Sequence, residues 1–477
     1  MRLERVRGLR VSMPARKPGL RRIGVARTTG LYAAGALAAF ALAGCLTYRP
    51  APLPAAPDLA SSADALKTDV AALRVGPLRS ISIDPGAGLT PLDVAVLAVL
   101  NNPDLRAKRA ALGVSAAQVF AAGLLPDPQI TASVDRPIAG PDKATAYSIS
   151  PSIDIAGLLA VANNERAARF TAKQANLNEL WAEWTTAQQA RQLAETALTD
   201  EARAAFLRDI LAAAADRADA SSRALRRGDV AAQTAAADLA AKLDVEALLA
   251  TARHDAAKAR RDLNALLGLD AAVALPLVED APPAAHDPQD LARQLASLPR
   301  RRPDLLALQA GYAAQDANLR KAILAQFPLA QIAFAYARDP TPTTTIGLSA
   351  VLALPIFNGS RGEVRVQEAT RTQLKAEYQA RLDGADAEVR NAAAELASAS
   401  AEAAVLRADL PRLEAMLGGA PAAFARHDID SQAYLGLLQA VIGKRADLED
   451  RELAARMAEI ALETALFAPP AEAGAAS

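Results

Sequence analysis

Residues 328–359 read PLAQIAFAYARDPTPTTTIGLSAVLALPIFNG, and residues 126–157 read PDPQITASVDRPIAGPDKATAYSISPSIDIAG. In both segments a proline opens and a glycine closes a spacing of 31 positions. Between them, large apolar residues alternate with small or polar ones. Ile332, Phe334 and Tyr336 are interleaved with Gln331, Ala333, Ala335 and Ala337, and Ile346, Leu348, Leu352 and Leu354 with Thr345, Gly347, Ser349 and Ala353. The earlier segment sets Ile130, Ala132, Val134, Tyr147, Ile149, Ile153 and Ile155 against Thr131, Ser133, Asp135, Ser148, Ser150, Ser152 and Asp154. Period two gives a strand one apolar and one polar face. Each segment therefore predicts a hairpin of two strands, Gln129 to Arg136 with Tyr147 to Ile155, and Gln331 to Arg338 with Thr345 to Leu354. Strands of about ten residues cross a membrane at a tilt. A surface hairpin of a soluble domain shows the same alternation, and Pro151 opposes a regular ladder.

The rest of the chain reads as helix. Only 4% of the 477 residues are aromatic, while Ala, Leu, Arg, Asp and Glu abound, a composition suited to long helices packed through small side chains. The 53 basic and 53 acidic residues cancel, which gives no footprint for nucleic acid. From Leu158 to Arg227 there is neither proline nor internal glycine, so one helix of about 105 Å is expected, too long to fold inside a compact globule. Trp181 and Trp184 sit on it at packing spacing. Arg227-Gly228-Asp229 breaks it, and Val230 to Gly268 returns.

The first 44 residues read as a signal peptide: Arg16, Lys17, Arg21, Arg22 and Arg27 precede the apolar run Leu31 to Ala43, which is too short to span a bilayer. Either Met1 or Met13 can serve as the start. The run ends in Leu42-Ala43-Gly44-Cys45, and Cys45 is the single cysteine, so no intrachain disulfide is possible. Pro50, Pro52, Pro54 and Pro57 follow, and residues 45–88 read as a tether. Thr90-Pro91-Leu92-Asp93 carries the signals of a helix start.

The chain then repeats itself. Asn102-Pro103-Asp104-Leu105 is answered by Arg302-Pro303-Asp304-Leu305 at an offset of 200, and the hairpins at an offset of 202. The predicted organisation is a first repeat over 89–268, with hairpin 126–157 and helical hairpin 158–268, and a Pro-rich linker over 269–288. A second repeat follows over 289–467, with hairpin 328–359 and helical hairpin 360–467, and a frayed tail over 468–477. In the second repeat the long helix is expected to run to Gly418 and break at Gly418-Gly419-Ala420-Pro421 before the return from Ile429 to Phe467. The fold class is mainly α with a small β part. Four strands cannot close a barrel in lipid, so several chains must share one, and their helices then form a second, coaxial cylinder.

The order of Leu-Ala-Gly-Cys, Asn-Pro-Asp-Leu, Ala122-Gly-Leu-Leu-Pro-Asp-Pro128, the Gly-Asp-Val turn, Arg-Pro-Asp-Leu and Leu354-Pro-Ile-Phe-Asn-Gly359 resembles the TolC family of outer membrane efflux factors over roughly Leu89 to Phe467. The resemblance implies a homotrimer with a twelve-stranded barrel across the bacterial outer membrane and a helical tunnel through the periplasm. Leu42-Ala43-Gly44-Cys45 resembles the bacterial lipoprotein cleavage box, which implies cutting before Cys45 and acylation of its sulfur. The family resemblance implies a periplasmic adaptor and an inner-membrane pump as partners. It also implies that the tips Arg227-Gly228-Asp229-Val230 and Arg426-His427-Asp428-Ile429 meet the adaptor. Where relatives carry acids near the pore entrance this chain has Gly436 and Gln439, so the acidic rings are expected to be missing.

Enzymatic chemistry finds no support in the sequence. His254, His286 and His427 lack any ligand spacing, Gly359-Ser-Arg-Gly362 lacks the Lys-Ser/Thr ending of a phosphate loop, and no cofactor or metal is expected. Two functions are carried forward. One is a passive export duct for small molecules, metals or proteins; the other is a lipid-anchored coiled-coil scaffold in the periplasm.

Overall fold

The computed structural model describes residues 48–79, 81, 83, 88–141, 144–279, 288–327, 330–341, 343–352, 354, 356–426 and 428–469. Two compact units divide the chain, the first ending at Pro57 and the second beginning at Asp58. Of the first, residues 48–57 are irregular and exposed. The signal peptide, Cys45 and His427 lie outside the described residues. Everything that follows belongs to the second unit.

Helix α1 (Pro91–Asn101) starts on a capping box, with the Thr90 hydroxyl accepting from the Asp93 amide at 3.2 Å and the Asp93 carboxylate accepting from the Thr90 amide at 2.9 Å. That reciprocal pair satisfies two otherwise orphaned amides. Asn102 then ends α1 and starts α2 (Pro103–Ala122): its side-chain oxygen accepts from the Leu105 amide at 2.9 Å, and its Nδ2 donates to the Leu266 carbonyl at 2.8 Å. Arg302 stands at the same place before α6 (Pro303–Leu324), donating through Nη1 to the Ala465 carbonyl at 3.1 Å, and through Nε and Nη2 to Asp304 (2.9 Å) and Glu388 (2.6 Å). Its guanidinium lies 4.7 Å from the ring centre of Trp181. The two Pro-Asp-Leu motifs thus do one job, tying the start of a short helix to the end of a long hairpin.

The long hairpins are α3 (Ile155–Arg227) with α4 (Ala232–Leu267) and α7 (Arg361–Ala425) with α8 (Ser431–Leu466); α5 (Pro288–Arg301) precedes α6. At 73 residues α3 is about 110 Å long. Its buried face is largely alanine, Ala187, Ala190, Ala194 and Ala197 among them, and small side chains let helix axes approach closely. Trp184 is the exception. It is fully buried, donates from Nε1 to the Thr464 carbonyl at 3.1 Å and meets the Phe467 ring edge-on at 5.4 Å.

Strands β1 (Gln129–Asp135), β2 (Ala146–Asp154), β3 (Ala330–Arg338) and β4 (Thr344–Leu352) form one antiparallel sheet in the order β1-β2-β3-β4. Its register keeps the two sequence faces apart. Ala132 pairs with Ile149, Ile149 with Tyr336, and Tyr336 with Ile346 on one side, while Ser133 pairs with Ser148, Ser148 with Ala337, and Ala337 with Thr345 on the other. Pro151 is accommodated inside β2: on the β3 side, pairs run through Ile149 and again from Ser152, without a change of register.

Three expectations are corrected. The tether predicted over 45–88 is packed from Asp58 onward. Leu66, Leu73, Val75 and Leu78 are buried against α1 and α3, and Ala60 and Leu89 form parallel bridges with Leu269 and Leu277. Apolar residues at these four positions outweigh the prolines upstream. Ile155 is the first residue of α3, so the strand passes into helix without a loop, and a Cβ on Gly157 would lie 2.6 Å from Asp154 and 3.2 Å from Pro126. The break expected at Gly418 to Pro421 is absent: α7 runs through Pro411 and Pro421 to Ala425. Ala420 is buried there, and Phe424 packs on Tyr434, so tertiary contacts hold the last turn despite the proline.

Candidate functional site: channel wall and helical tips

Among the described residues the large side chains on the apolar face of the sheet are left uncovered. Ile130, Val134, Phe334, Ile346 and Leu348 are exposed, and an exposed apolar face of this extent marks a surface made for something other than water. The opposite face carries Thr131, Ser133, Ser148, Ser150, Ser152 and Ser349, with Ser133 and Ser148 hydrogen-bonded across the strands at 2.9 Å. The sheet thus carries one apolar and one polar face. Among the described residues β1 and β4 are paired on one side only, which leaves two open edges.

Helix packing beneath the sheet repeats this order. α2 packs on α3, α3 on α6, and α6 on α7, so α2 and α7 continue the two open edges downward. Apolar groups stand exposed along them: Val114 and Phe120 on α2, Val366 on α7, and Ile356 and Phe357 at the strand-to-helix turn. At that turn Gly359 and Ser360 both adopt left-handed backbone, φ 53° and 54°, before α7 begins. Sheet and helices therefore follow one order and are left unpaired at the same two sides.

The far ends of the long hairpins make two tips of matching construction. At the first, Gly228 has φ 82° and caps α3, and Arg227 Nε donates to Asp229 at 2.7 Å. At the second, Arg426 Nε donates to Asp428 at 2.8 Å. Val230 and Ile429 are half-buried behind them, while the charged pairs are exposed. Asp430 caps α8, accepting from the Ala433 amide at 2.7 Å. Asp229, Asp428 and Asp430 are thus all committed to local bonds. Gly436 and Gln439 sit one helical turn apart on the exposed side of α8, away from buried Tyr434, Leu438 and Val441.

One residue near the tips escaped the sequence reading. Arg217 on α3 lies between the rings of Phe424 (4.2 Å) and Tyr434 (4.3 Å), pairs with buried Asp238 on α4 at 2.8 Å, and donates to the Ser431 hydroxyl at 2.7 Å. It joins all four long helices. Nothing separates Arg217 from its many neighbouring arginines in sequence; the only signal is that two of the chain's few aromatics bracket the second tip.

Among the described residues no helix is long and apolar enough to cross a membrane. The architecture is that of the TolC-type outer membrane channels. No protein-family model and no curated protein matches the chain. Solved structures do. The Campylobacter jejuni CmeC outer membrane channel is similar at TM-score 0.67 and 16% identity, over 89% of this chain and 95% of that one. The outer membrane protein VceC from Vibrio cholerae gives 0.66 and 15%, over 80% and 97%. The open state of the Neisseria gonorrhoeae MtrE outer membrane channel gives 0.61 and 17%, over 79% and 88%.

Proposed function

We propose that this protein is the outer membrane duct of a tripartite efflux or secretion system, in which three copies close a shared barrel of twelve strands and a helical tunnel below it. The observation that carries this reading is the four-stranded sheet with one apolar face, one polar face and two open edges. In lipid such edges must be paired, and four strands fall short of the roughly eight that a small barrel requires. The two halves of the chain, 89–268 and 289–467, are read as repeats of one unit. Under this reading the contact of α3 with α6 inside one copy is the pattern for the contact of α7 with α2 of the next.

The duct performs no chemistry; it offers a continuous aqueous path. The tips Arg227 to Val230 and Arg426 to Ile429 are assigned to a periplasmic adaptor and, through it, an inner-membrane pump, with small molecules, metals or proteins as cargo. Cys45 is assigned to lipid attachment. Because a closed barrel holds a protein in a membrane far more firmly than acyl chains do, Cys45→Ser should lose the lipid yet stay in the outer membrane, as read by fractionation. The reading as a whole is tested in detergent and in a planar bilayer. A heat-sensitive trimer that conducts ions is expected, whereas a water-soluble, elongated delipidated protein without conductance would establish the scaffold instead.

A further inference from the structure

Next to Trp184, the second unit buries two carboxyl groups against each other. Glu179 and Glu183 are one helical turn apart on α3, and their side chains are 2% and 0% exposed. Two arginines reach them from outside α3. Arg74, from the packed segment 58–79, donates to Glu179 Oε2 at 2.6 Å, and Arg109, from α2, donates to Glu183 Oε1 through Nη2 at 2.6 Å while also binding the Val99 carbonyl at 2.7 Å. The second oxygens, Glu179 Oε1 and Glu183 Oε2, find no donor on any of the described groups, although Arg109 Nε stands 3.3 Å from the former.

Two buried carboxylates, each with an oxygen that lacks a donor, are a costly arrangement, and one proton resolves it. A protonated Glu179 donates its O–H to the Glu183 carboxylate, which keeps its bonds from Arg109. We propose that Glu179 and Glu183 hold a proton between them, and that this proton fastens segment 58–79 onto the wall of the duct. Apolar packing also holds the segment beside the pair. Its Leu73, Val75 and Leu78 pack on Val96, Val99 and Trp184 beside the pair, and its Arg74 covers Glu179.

The charged groups facing the pair from each side are accounted for. On segment 58–79 it is Arg74, with Asn176 of α3 as that residue's second partner at 3.0 Å. On α2 it is Arg109. The charged groups that α6 and α8 present to α3 in this region are engaged elsewhere, Arg302 with Asp304 and Glu388, and Glu463 with Arg191. Burial above all, together with the hydrogen bond and charge of Glu183, moves Glu179 from 4.5 to about 7, against the opposing pull of Arg74 and Arg109. A carboxyl raised in the folded state is one the folded state prefers protonated. The fastening is therefore complete below 4.5, weakens as pH rises from there to about 7, and loses nothing more above that. The inference concerns the chain's own packing and stands whether or not the duct conducts.

The test is amide hydrogen exchange of the full chain in detergent, corrected for the intrinsic pH dependence, read on peptides covering 66–79. Protection there should fall as pH rises between 5 and 7, by at most about tenfold per pH unit for one linked proton, and level off above. Peptides from the tips at 224–233 should not follow. Glu179→Gln, which keeps the shape of the protonated acid, should hold protection high and flat across the range. The wild-type chain should also show an infrared band of a protonated carboxyl that persists at pH 5 and disappears as pH passes through about 7, a readout independent of whether the variant folds. A flat protection profile in the wild type, a pH response retained in Glu179→Gln, or the absence of the titrating band would each overturn the proposal.

Discussion

Arg302 shows what a single residue does in this chain. Fully buried, it spends its donors on Asp304, Glu388 and the Ala465 carbonyl, and lays its flat face over Trp181. Removing one partner of such a group leaves the others buried and uncompensated, so Arg302→Ala should destabilise the chain by about 3–5 kcal/mol in thermal or chemical unfolding, with Arg302→Lys a poor rescue because it lacks the planar fork. Burial pushes Glu388 up, but hydrogen bonds from Arg381 and Arg302 outweigh it and hold the carboxyl below its ordinary 4.5. Its stabilising share is present above 4.5 and is lost on further acidification, a loss that should be smaller in the Arg302→Ala variant, where only Arg381 still holds the carboxyl. The sheet offers a sharper contrast. Phe334 pairs with Leu348 on the apolar face and Ala335 with Gly347 on the polar one. Phe334→Arg should cost about 2–4 kcal/mol per copy near mid-membrane and abolish the heat-sensitive assembly, while Ala335→Arg, one residue along, should be tolerated; equal damage at both would refute the face assignment. If Gln439 lines the entrance of the proposed duct, Gln439→Asp should add cation selectivity in bilayer recordings, since the acids already at the tips are tied up by Arg227, Arg426 and the start of α8.

At the scale of elements, alternation was a reliable guide and breaker residues were not. The four strands, their faces and the uninterrupted α3 were readable because side-chain period and the lack of Pro and Gly act locally. The end of α7 was misread because Gly418, Gly419 and Pro421 are local signals, whereas the helix is held there by Phe424 against Tyr434 and Arg217. Segment 58–79 differs from expectation in the same way, the prolines just upstream of it and its short turns hiding four buried apolar residues. Contacts between distant elements, Arg217 with Asp238 or Arg74 with Glu179, carry no sequence mark at all. The helical state of Gly418 and Gly419 has a consequence of its own. Neither has an atom within 4 Å of the place a Cβ would occupy, so Gly418→Ala and Gly419→Ala should each stabilise this stretch by about 0.5–1 kcal/mol, seen as a higher melting temperature and slower amide exchange at the second tip.

In the trimer proposed for this protein, the open sides at β1 with α2 and at β4 with α7 are different surfaces, so copies would join head to tail. A head-to-tail contact either returns on itself or grows without limit. In a closed ring of three, the last arrival makes two contacts at once where the second made one. Pairs are therefore fleeting, and whole rings accumulate with little in between. The same arithmetic applies in reverse to damage: a copy defective at one edge spoils one of the three seams, and one broken seam is enough to leave the ring open. One faulty gene product mixed with an equal amount of sound protein leaves only about one ring in eight free of it, which makes edge defects dominant in a way that defects in the buried helix core are not.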